Sequence, residues 1–242
     1  MNTELNLDGK KSFGDKLRPD LNLSKKVLAA ICPYLSEPDD YDVFEFEEAF
    51  KLLRTNLQMM QTKQSERSVQ TVMITSAQAG DGKSTVAWYL AQTAASMGQR
   101  VLLVDADLRR SQLQTRLELL EAKGLSEFFS LNLSLSEVIQ QPLSESSLHV
   151  LPSGEAAPNP IQILASTKMH TLTNKLKNTF DLVIYDAPPL NGLADTLQLA
   201  SYIDNVLLVV RLNKTDKIAA EKALESLSNT QAHLLGLVAN GM

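Results

Sequence analysis

Thr71-Val72-Met73-Ile74-Thr75-Ser76-Ala77-Gln78-Ala79-Gly80-Asp81-Gly82-Lys83-Ser84-Thr85 decides how this chain folds. An apolar run over about Thr71–Thr75 reads as a buried strand. It opens into a loop of small residues, and a helix follows from Lys83 to Met97 with Val86, Leu90, Ala94 and Met97 on its buried face and Gly98 closing it. Small loop residues let successive backbone N–H groups turn inward around a phosphate, and the helix N-terminus adds positive potential. Ala79, Gly80, Asp81, Gly82, Lys83, Ser84 and Thr85 are therefore the candidate nucleotide-binding residues. Lys83 is placed to meet the β- and γ-phosphates, and the Ser84 hydroxyl to ligate Mg²⁺. The pattern GxxxxGK[ST] is satisfied except at its first glycine, where Ala77 stands.

Two further apolar runs end in carboxylates. Val101-Leu102-Leu103-Val104 leads into Asp105-Ala106-Asp107-Leu108-Arg109-Arg110, and Leu182-Val183-Ile184-Tyr185 leads into Asp186-Ala187-Pro188-Pro189. In extended chain Asp105 and Asp107 face one side and repel unless a cation or a substrate proton separates them. That suits one Mg²⁺ contact, assigned to Asp105, and one proton acceptor, assigned to Asp107. Asp186 is expected to hold Mg²⁺ through water. Lys83, Asp105, Asp107 and Asp186 are thus the candidate catalytic set, and Ser84, Asp105 and Asp186 the candidate metal set. Strand ends of this kind belong at the carboxyl edge of a parallel sheet.

Working outward, strands are expected at 148–151, 181–185, 205–210 and 234–238, with helices over 161–178 and 215–228. The alternation predicts an α/β fold, a doubly wound, mostly parallel sheet with helices on both faces, P-loop NTPase-like. A helix beginning near Glu45 carries Phe50, Leu53, Leu57 and Met60 on one stripe and Glu48, Lys51 and Arg54 on another face. Residues 1–44 read as an N-terminal extension with a possible short element at Val27–Ile31, and residues 45–242 as the catalytic domain.

Composition narrows the function. The 242 residues are 44% hydrophobic, enough for one sizeable core, and the net charge of -5 gives no reason to expect a nucleic-acid partner. Cys32 is the sole cysteine, so no internal disulfide or CxxC metal site exists. His149, His170 and His233 lack metal-ligand spacing. No run reaches the ~18 apolar residues of a membrane span, and Met1–Lys11 has no signal-peptide core. A cytoplasmic location is expected, with any contact to the inner face of the plasma membrane made through a partner or a segment outside this chain.

These motifs together resemble the bacterial tyrosine kinases of capsule and exopolysaccharide systems, members of the deviant P-loop group that also holds the MinD/ParA ATPases. The resemblance covers about residues 45–240. It rests on the glycine loop, on Val101–Arg110 and on Leu182–Pro189. Leu53-Arg54-Thr55-Asn56, Gly154 with Pro158-Asn159-Pro160, and Val209-Val210-Arg211 with Thr215 add to it. The resemblance implies an ATP·Mg²⁺-dependent, non-specific protein-tyrosine kinase that autophosphorylates in trans and regulates exopolysaccharide or capsule synthesis or export. It implies Arg211 near the nucleotide base, a membrane-bound activator, protein tyrosine substrates, and a homo-oligomeric ring through the helix bearing Glu48, Lys51 and Arg54. The chain departs from the family in two ways. The family's E-x2-R-x2-R has Lys51 at its centre, which cannot reproduce the planar arginine fork. No C-terminal tyrosine cluster is present; the tyrosines are Tyr34, Tyr41, Tyr89, Tyr185 and Tyr202, of which the last three are expected to be buried. Two alternatives stand beside the kinase. One is a MinD/ParA-like ATPase switch, which carries a signature lysine where this chain has Gln78. The other is a degenerate nucleotide-binding partner without kinase activity.

Overall fold

Continuous runs of β-branched and aliphatic residues need burial on both faces, and the sheet supplies it. The structure, a computed structural model, describes residues 30–32, 40–63, 69–119, 122–143, 146–191, 194–230 and 232–241. The strands are β1 (Ala30–Cys32), β2 (Thr71–Ser76), β3 (Val101–Asp105), β4 (Leu148–Leu151), β5 (Leu182–Asp186), β6 (Asn205–Arg211) and β7 (His233–Asn240). They form one sheet in the order β1-β7-β6-β2-β5-β3-β4, and every pairing is parallel. The helices are α1 (Asp40–Lys63), α2 (Lys83–Ser96), α3 (Leu113–Arg116), α4 (Leu125–Ser130), α5 (Leu135–Val138), α6 (Pro160–Leu164), α7 (Thr167–Thr179), α8 (Ala194–Ala200) and α9 (Lys217–Ser228).

Alternate residues of each central strand feed two separate cores. Val72, Ile74, Val101, Leu103, Ile184, Leu207 and Val209 pack with Phe50, Leu53 and Leu57 of α1 and Val86 and Leu90 of α2. Met73, Leu102, Val104, Val183, Tyr185, Val206 and Leu208 pack with Leu172 and Leu176 of α7, Leu199 of α8 and Ala223 of α9. The sheet therefore has helices on both faces, as the alternation of elements predicts. β2 lies at its centre between β6 and β5, while the next strand in sequence, β3, lies beyond β5. The carboxyl end of β2 is thus the point where the chain order switches sides, the usual place for a ligand crevice in this architecture.

Several expectations are corrected. Ala30–Cys32, within the expected extension, runs parallel to β7 through Val238–Asn240, and the expected boundary at 44/45 falls inside α1. Residues 1–29 and 33–39 of the extension, with Tyr34, lie outside the described residues. The single helix expected over 161–178 is two, because Ser166 breaks it: its side chain accepts the Met169 N–H and caps α7 afresh. Met97 is 48% exposed rather than buried, since the helix ends at Ser96 and Met97 is its C-cap, just before the left-handed Gly98 (φ 88°). Of the three tyrosines expected inside, Tyr185 is fully buried and Tyr89 and Tyr202 only partly so.

Arg54 carries the most consequential correction. Glu48 and Lys51 are exposed and pair with each other at 2.8 Å. Arg54 does not share their outward face. It is 4% exposed, and its Nε donates to Gln99 Oε1 at 2.6 Å, tying α1 to the turn between α2 and β3. The helix turns 100° per residue, so a three-residue step sweeps from the solvent face toward the sheet. Burial pulls the guanidinium pKa below its ordinary value. Arg54→Ala is expected to lower stability by about 1–3 kcal/mol, through lost packing and an orphaned Gln99 amide. Calorimetric Tm of the purified chain measures it.

Candidate active site

The glycine loop is held in shape by distant parts of the chain. Gly80 and Gly82 have φ of 87° and 94°, in the left-handed region. The Gln78 N–H donates to Asp81 Oδ2 at 2.8 Å. Thr215 Oγ1 donates to Asp81 Oδ1 at 2.7 Å, and Asn240 Nδ2 to the Asp81 carbonyl at 2.8 Å. The Asp216 N–H closes the brace onto Gln78 Oε1 at 3.1 Å. Asp81 is thus turned inward, 3% exposed. Burial raises its carboxyl pKa, against the opposing pull of the Thr215 and Gln78 hydrogen bonds and the Arg211 charge. Its side chain works as a strut rather than as a ligand group. Ala77, where the strict pattern has glycine, is 1% exposed and belongs to the core beneath the loop.

A Cβ on Gly82 would lie 1.9 Å from Asn240 Nδ2, the donor that holds the Asp81 carbonyl, on a backbone that L-residues avoid. Gly82→Ala is expected to cost about 1–3 kcal/mol and to weaken ADP binding by roughly tenfold or more, since the loop N–H groups lose their alignment. Thermal denaturation and titration calorimetry read the two effects separately.

Behind the loop stand the carboxylates. β3 and β5 pair in register so that Asp105 and Asp186 are direct neighbours at the sheet edge, and the Ala106 N–H donates to the Asp186 carbonyl at 2.9 Å. Both side chains are fully buried. The expected side-by-side placement of Asp105 and Asp107 in extended chain is not found. The strand ends at Asp105, the chain turns, and the Asp107 N–H donates to Asp105 Oδ1 at 3.2 Å. The Ser111 hydroxyl donates to the other Asp105 oxygen. Asp107 is directed instead toward Lys83, whose Nζ lies 3.4 Å from its Oδ2 and 3.4 Å from Ser84 Oγ.

Asp186 stands apart from the other carboxylates of the site. Neither of its buried carboxylate oxygens has a hydrogen-bond partner. Burial raises its pKa to about 6, with the Lys83 charge and the nearby Ser84 hydroxyl pulling down and Asp107 pushing up. Asp105 is raised further, to about 8, first by burial and then by the Asp186 charge. Such carboxylates are short of positive charge, and a hard divalent cation supplies it. The donors fit Mg²⁺, which takes one or two carboxylates or hydroxyls and completes its shell with phosphate oxygens and water. Among the described residues no group of three His, Cys, Asp or Glu side chains forms a self-sufficient metal site.

A cleft of about 510 Å³ opens over these groups. Ala79, Gly80, Gly82, Lys83, Ser84 and Thr85 line it together with Asp107, Arg109, Arg110, Gln112 and Arg116, and with Pro188 and Pro189. Lys83, Ser84, Asp107 and the loop glycines are therefore brought together. Arg211 is not among the lining residues; it ends β6 beside the loop strut, where its N–H donates to Thr215 Oγ1 at 2.6 Å. Four contributors have no local signal in the sequence: Asn240, Thr215 as a brace, Arg116, and Asp195. Arg116 donates to Thr85 Oγ1 at 2.9 Å. Asp195, 2% exposed on α8, accepts from Arg109 Nε at 2.7 Å.

This fold and site define a P-loop class of protein, and a family model described as an AAA domain matches residues 69–234. The solved MinD of Pyrococcus horikoshii, a complex with Mg-ADP, shares the fold with a TM-score of 0.59 at 22% identity, over 69% of this chain and 68% of its own. Nearer relatives are more specific. The chain is 38% identical over 194 residues to the tyrosine-protein kinase YwqD of Bacillus subtilis, covering 80% of each protein. It is 33% identical over 195 residues to the tyrosine-protein kinase CpsD of Streptococcus agalactiae, covering 80% of this chain and 82% of that one. Among solved structures, the chimerical protein CapA2B2 superposes with a TM-score of 0.82 at 28% identity, over 93% and 97% of the two chains. The kinase domain of Escherichia coli tyrosine kinase ETK superposes at 0.75 and 29% identity, over 82% and 76%. The chain belongs to the bacterial tyrosine kinase family.

Proposed function

We propose that this chain is an ATP·Mg²⁺-dependent protein-tyrosine kinase. The observation that carries the reading is Asp186, a buried carboxylate with no protein partner beside Lys83 and Ser84 at the mouth of a phosphate-cradling loop. The loop N–H groups and Lys83 hold the β- and γ-phosphates. Ser84, Asp105 and Asp186 would hold Mg²⁺, directly or through water, and the ion would supply charge neutralisation at the phosphates. Asp107 orients the tyrosine hydroxyl and accepts its proton as the hydroxyl oxygen bonds to the γ-phosphorus. The bond to the bridging oxygen breaks, and the nucleoside diphosphate leaves. The loose transition state of this transfer makes positioning and charge neutralisation weigh more than base strength. Lys83, 3.4 Å from Asp107, keeps that carboxylate aimed at the cleft.

The same reading places the kinase in regulation of exopolysaccharide or capsule synthesis or export. It works at the inner face of the plasma membrane through a membrane-bound activator, as a homo-oligomer using the exposed Glu48 and Lys51 side of α1. Among the described residues no helix is long and apolar enough to cross a membrane. The structure weighs against the switch alternative at one residue: Gln78, which stands where a switch ATPase has its lysine, is tied by Asp216 to its own chain.

The test is mass spectrometry for phosphotyrosine after incubation with ATP and Mg²⁺, with and without a generic tyrosine polymer and a cytoplasmic fragment of a candidate activator. Phosphotyrosine on chain or polymer is the expected result. ATP hydrolysis with no phosphotyrosine in any condition would overturn the reading.

A further inference from the structure

The cleft carries more positive charge on one wall than the nucleotide site uses. Arg109, Arg110 and Arg116 all line it, in a chain whose net charge is -5. Arg109 is matched by the buried Asp195 at 2.7 Å. Arg116 has no carboxylate partner among the described residues: it donates to Thr85 Oγ1 and lies with its guanidinium carbon 5.5 Å from the centre of the Tyr89 ring. Arg110 is exposed; its backbone N–H is held by Asp107 Oδ1 at 3.1 Å, and its guanidinium has no carboxylate partner among the described residues. The bond at its backbone sets Arg110 beside the carboxylate assigned to the acceptor hydroxyl. Two guanidinium groups without carboxylates at a cleft mouth create a local field that attracts anions. The arginine fork matches carboxylate oxygens in pairs, which a flexible lysine does not.

We propose that Arg110 and Arg116 select acceptor segments whose tyrosine is flanked by acidic side chains, so that this kinase prefers acidic tyrosine peptides. The proposal rests on the kinase reading above and names the chemistry of its second substrate. The chain itself contains a segment of this kind. Glu37-Pro38-Asp39-Asp40-Tyr41-Asp42-Val43-Phe44-Glu45 carries five carboxylates and no cation around Tyr41, which falls in the first turn of α1. By charge, that segment of a second copy is a matching acceptor.

The experiment uses the full chain with saturating ATP and Mg²⁺ and two synthetic peptides, EPDDYDVFE and its neutral counterpart QPNNYNVFQ. The expected result is a kcat/KM about tenfold or more higher for the acidic peptide, carried mostly by KM and shrinking toward parity in about 0.5 M NaCl. In Arg110→Glu the preference should vanish or invert, with Arg110→Gln in between. Equal kcat/KM for the two peptides overturns the selectivity and leaves the kinase reading standing. So does an Arg110→Glu variant that binds ADP roughly tenfold more weakly while keeping the preference, because the arginine then serves the nucleotide. Absence of phosphotyrosine on both peptides and on the chain is failure of the kinase reading. In that case fluorescence anisotropy of the two labelled peptides, with ADP and Mg²⁺ present, still reads the preference, and equal affinities overturn it.

Discussion

Lys83→Met is expected to reduce the initial rate of phosphotyrosine formation by roughly 10³-fold or more. Lys83 is placed against the loop, with its Nζ within 3.4 Å of both Asp107 and Ser84. Charge on the transferring phosphoryl group is met by preorganised donors, and deleting one such donor typically removes 10²–10³. Here the loss is compounded, because Asp107 also loses the partner that aims it. Met keeps the length and apolar bulk of the stem, so the change is electrostatic more than steric. The free protein should feel it too. The Lys83 and Asp107 side chains are 11% and 8% exposed, and removing one partner of such a pair costs about 3 kcal/mol. Two readouts therefore belong together: the phosphotyrosine rate, and Tm without nucleotide. A lower Tm with the rate intact would show that Lys83 is only a structural partner of Asp107 and would overturn the site assignment. A fallen rate at a temperature well below the variant's Tm supports it.

Asp186→Asn is expected to separate stability from function in the opposite direction. The carboxylates of Asp186 and Asp105 have raised folded-state pKa values, about 6 and about 8. A carboxyl group whose pKa rises on folding binds its proton more tightly in the folded state. Its stabilising effect is complete below the ordinary carboxylate range near 4 and is lost as pH climbs through the folded-state values. The nucleotide-free protein should thus be more stable near pH 5 than near pH 8. The loss is expected to reach at least ~1.4 kcal/mol, the equivalent of one pKa unit, or a few degrees in Tm. Mg²⁺ with ADP should remove most of that slope by neutralising the pair. Asp186→Asn should flatten the slope without ligand and raise Tm at pH 8. It should also weaken Mg²⁺-dependent nucleotide binding by roughly tenfold or more. Differential scanning calorimetry across this pH range, with and without Mg·ADP, gives every quantity. A nucleotide-free Tm that rises from pH 5 to pH 8, or an Asp186→Asn variant that binds Mg·ADP as well as the parent, would remove Asp186 from the metal site.

What was legible in the chain followed from local rules. Thr71–Thr85, Val101–Arg110 and Leu182–Pro189 each bind a strand pattern to chemistry at its end within a dozen or so residues. Hydrophobic run and charged terminus suffice to place Lys83, Ser84, Asp105 and Asp186 at one sheet edge. The break at Ser166 leaves no mark in the periodicity, because a serine inside an amphipathic stretch reads as a surface residue and its capping bond to the Met169 N–H forms only in the fold. Periodicity puts Met97 on the buried face because it does not register that the helix stops at Ser96 and leaves Met97 as its cap.

The sequence by itself determined the doubly wound α/β architecture, the phosphate-cradling loop and the identity of the charged groups around it, because these depend on residues near one another in the chain. Tertiary structure alone decided which groups have partners. It turned Asp81 into a strut for Thr215 and Asn240, buried Arg54 against Gln99, matched Arg109 to Asp195 and left Asp186 without a hydrogen bond. Those outcomes turn on contacts across 45 to 159 positions of chain and on desolvation, which a side chain acquires only when the rest of the fold closes over it.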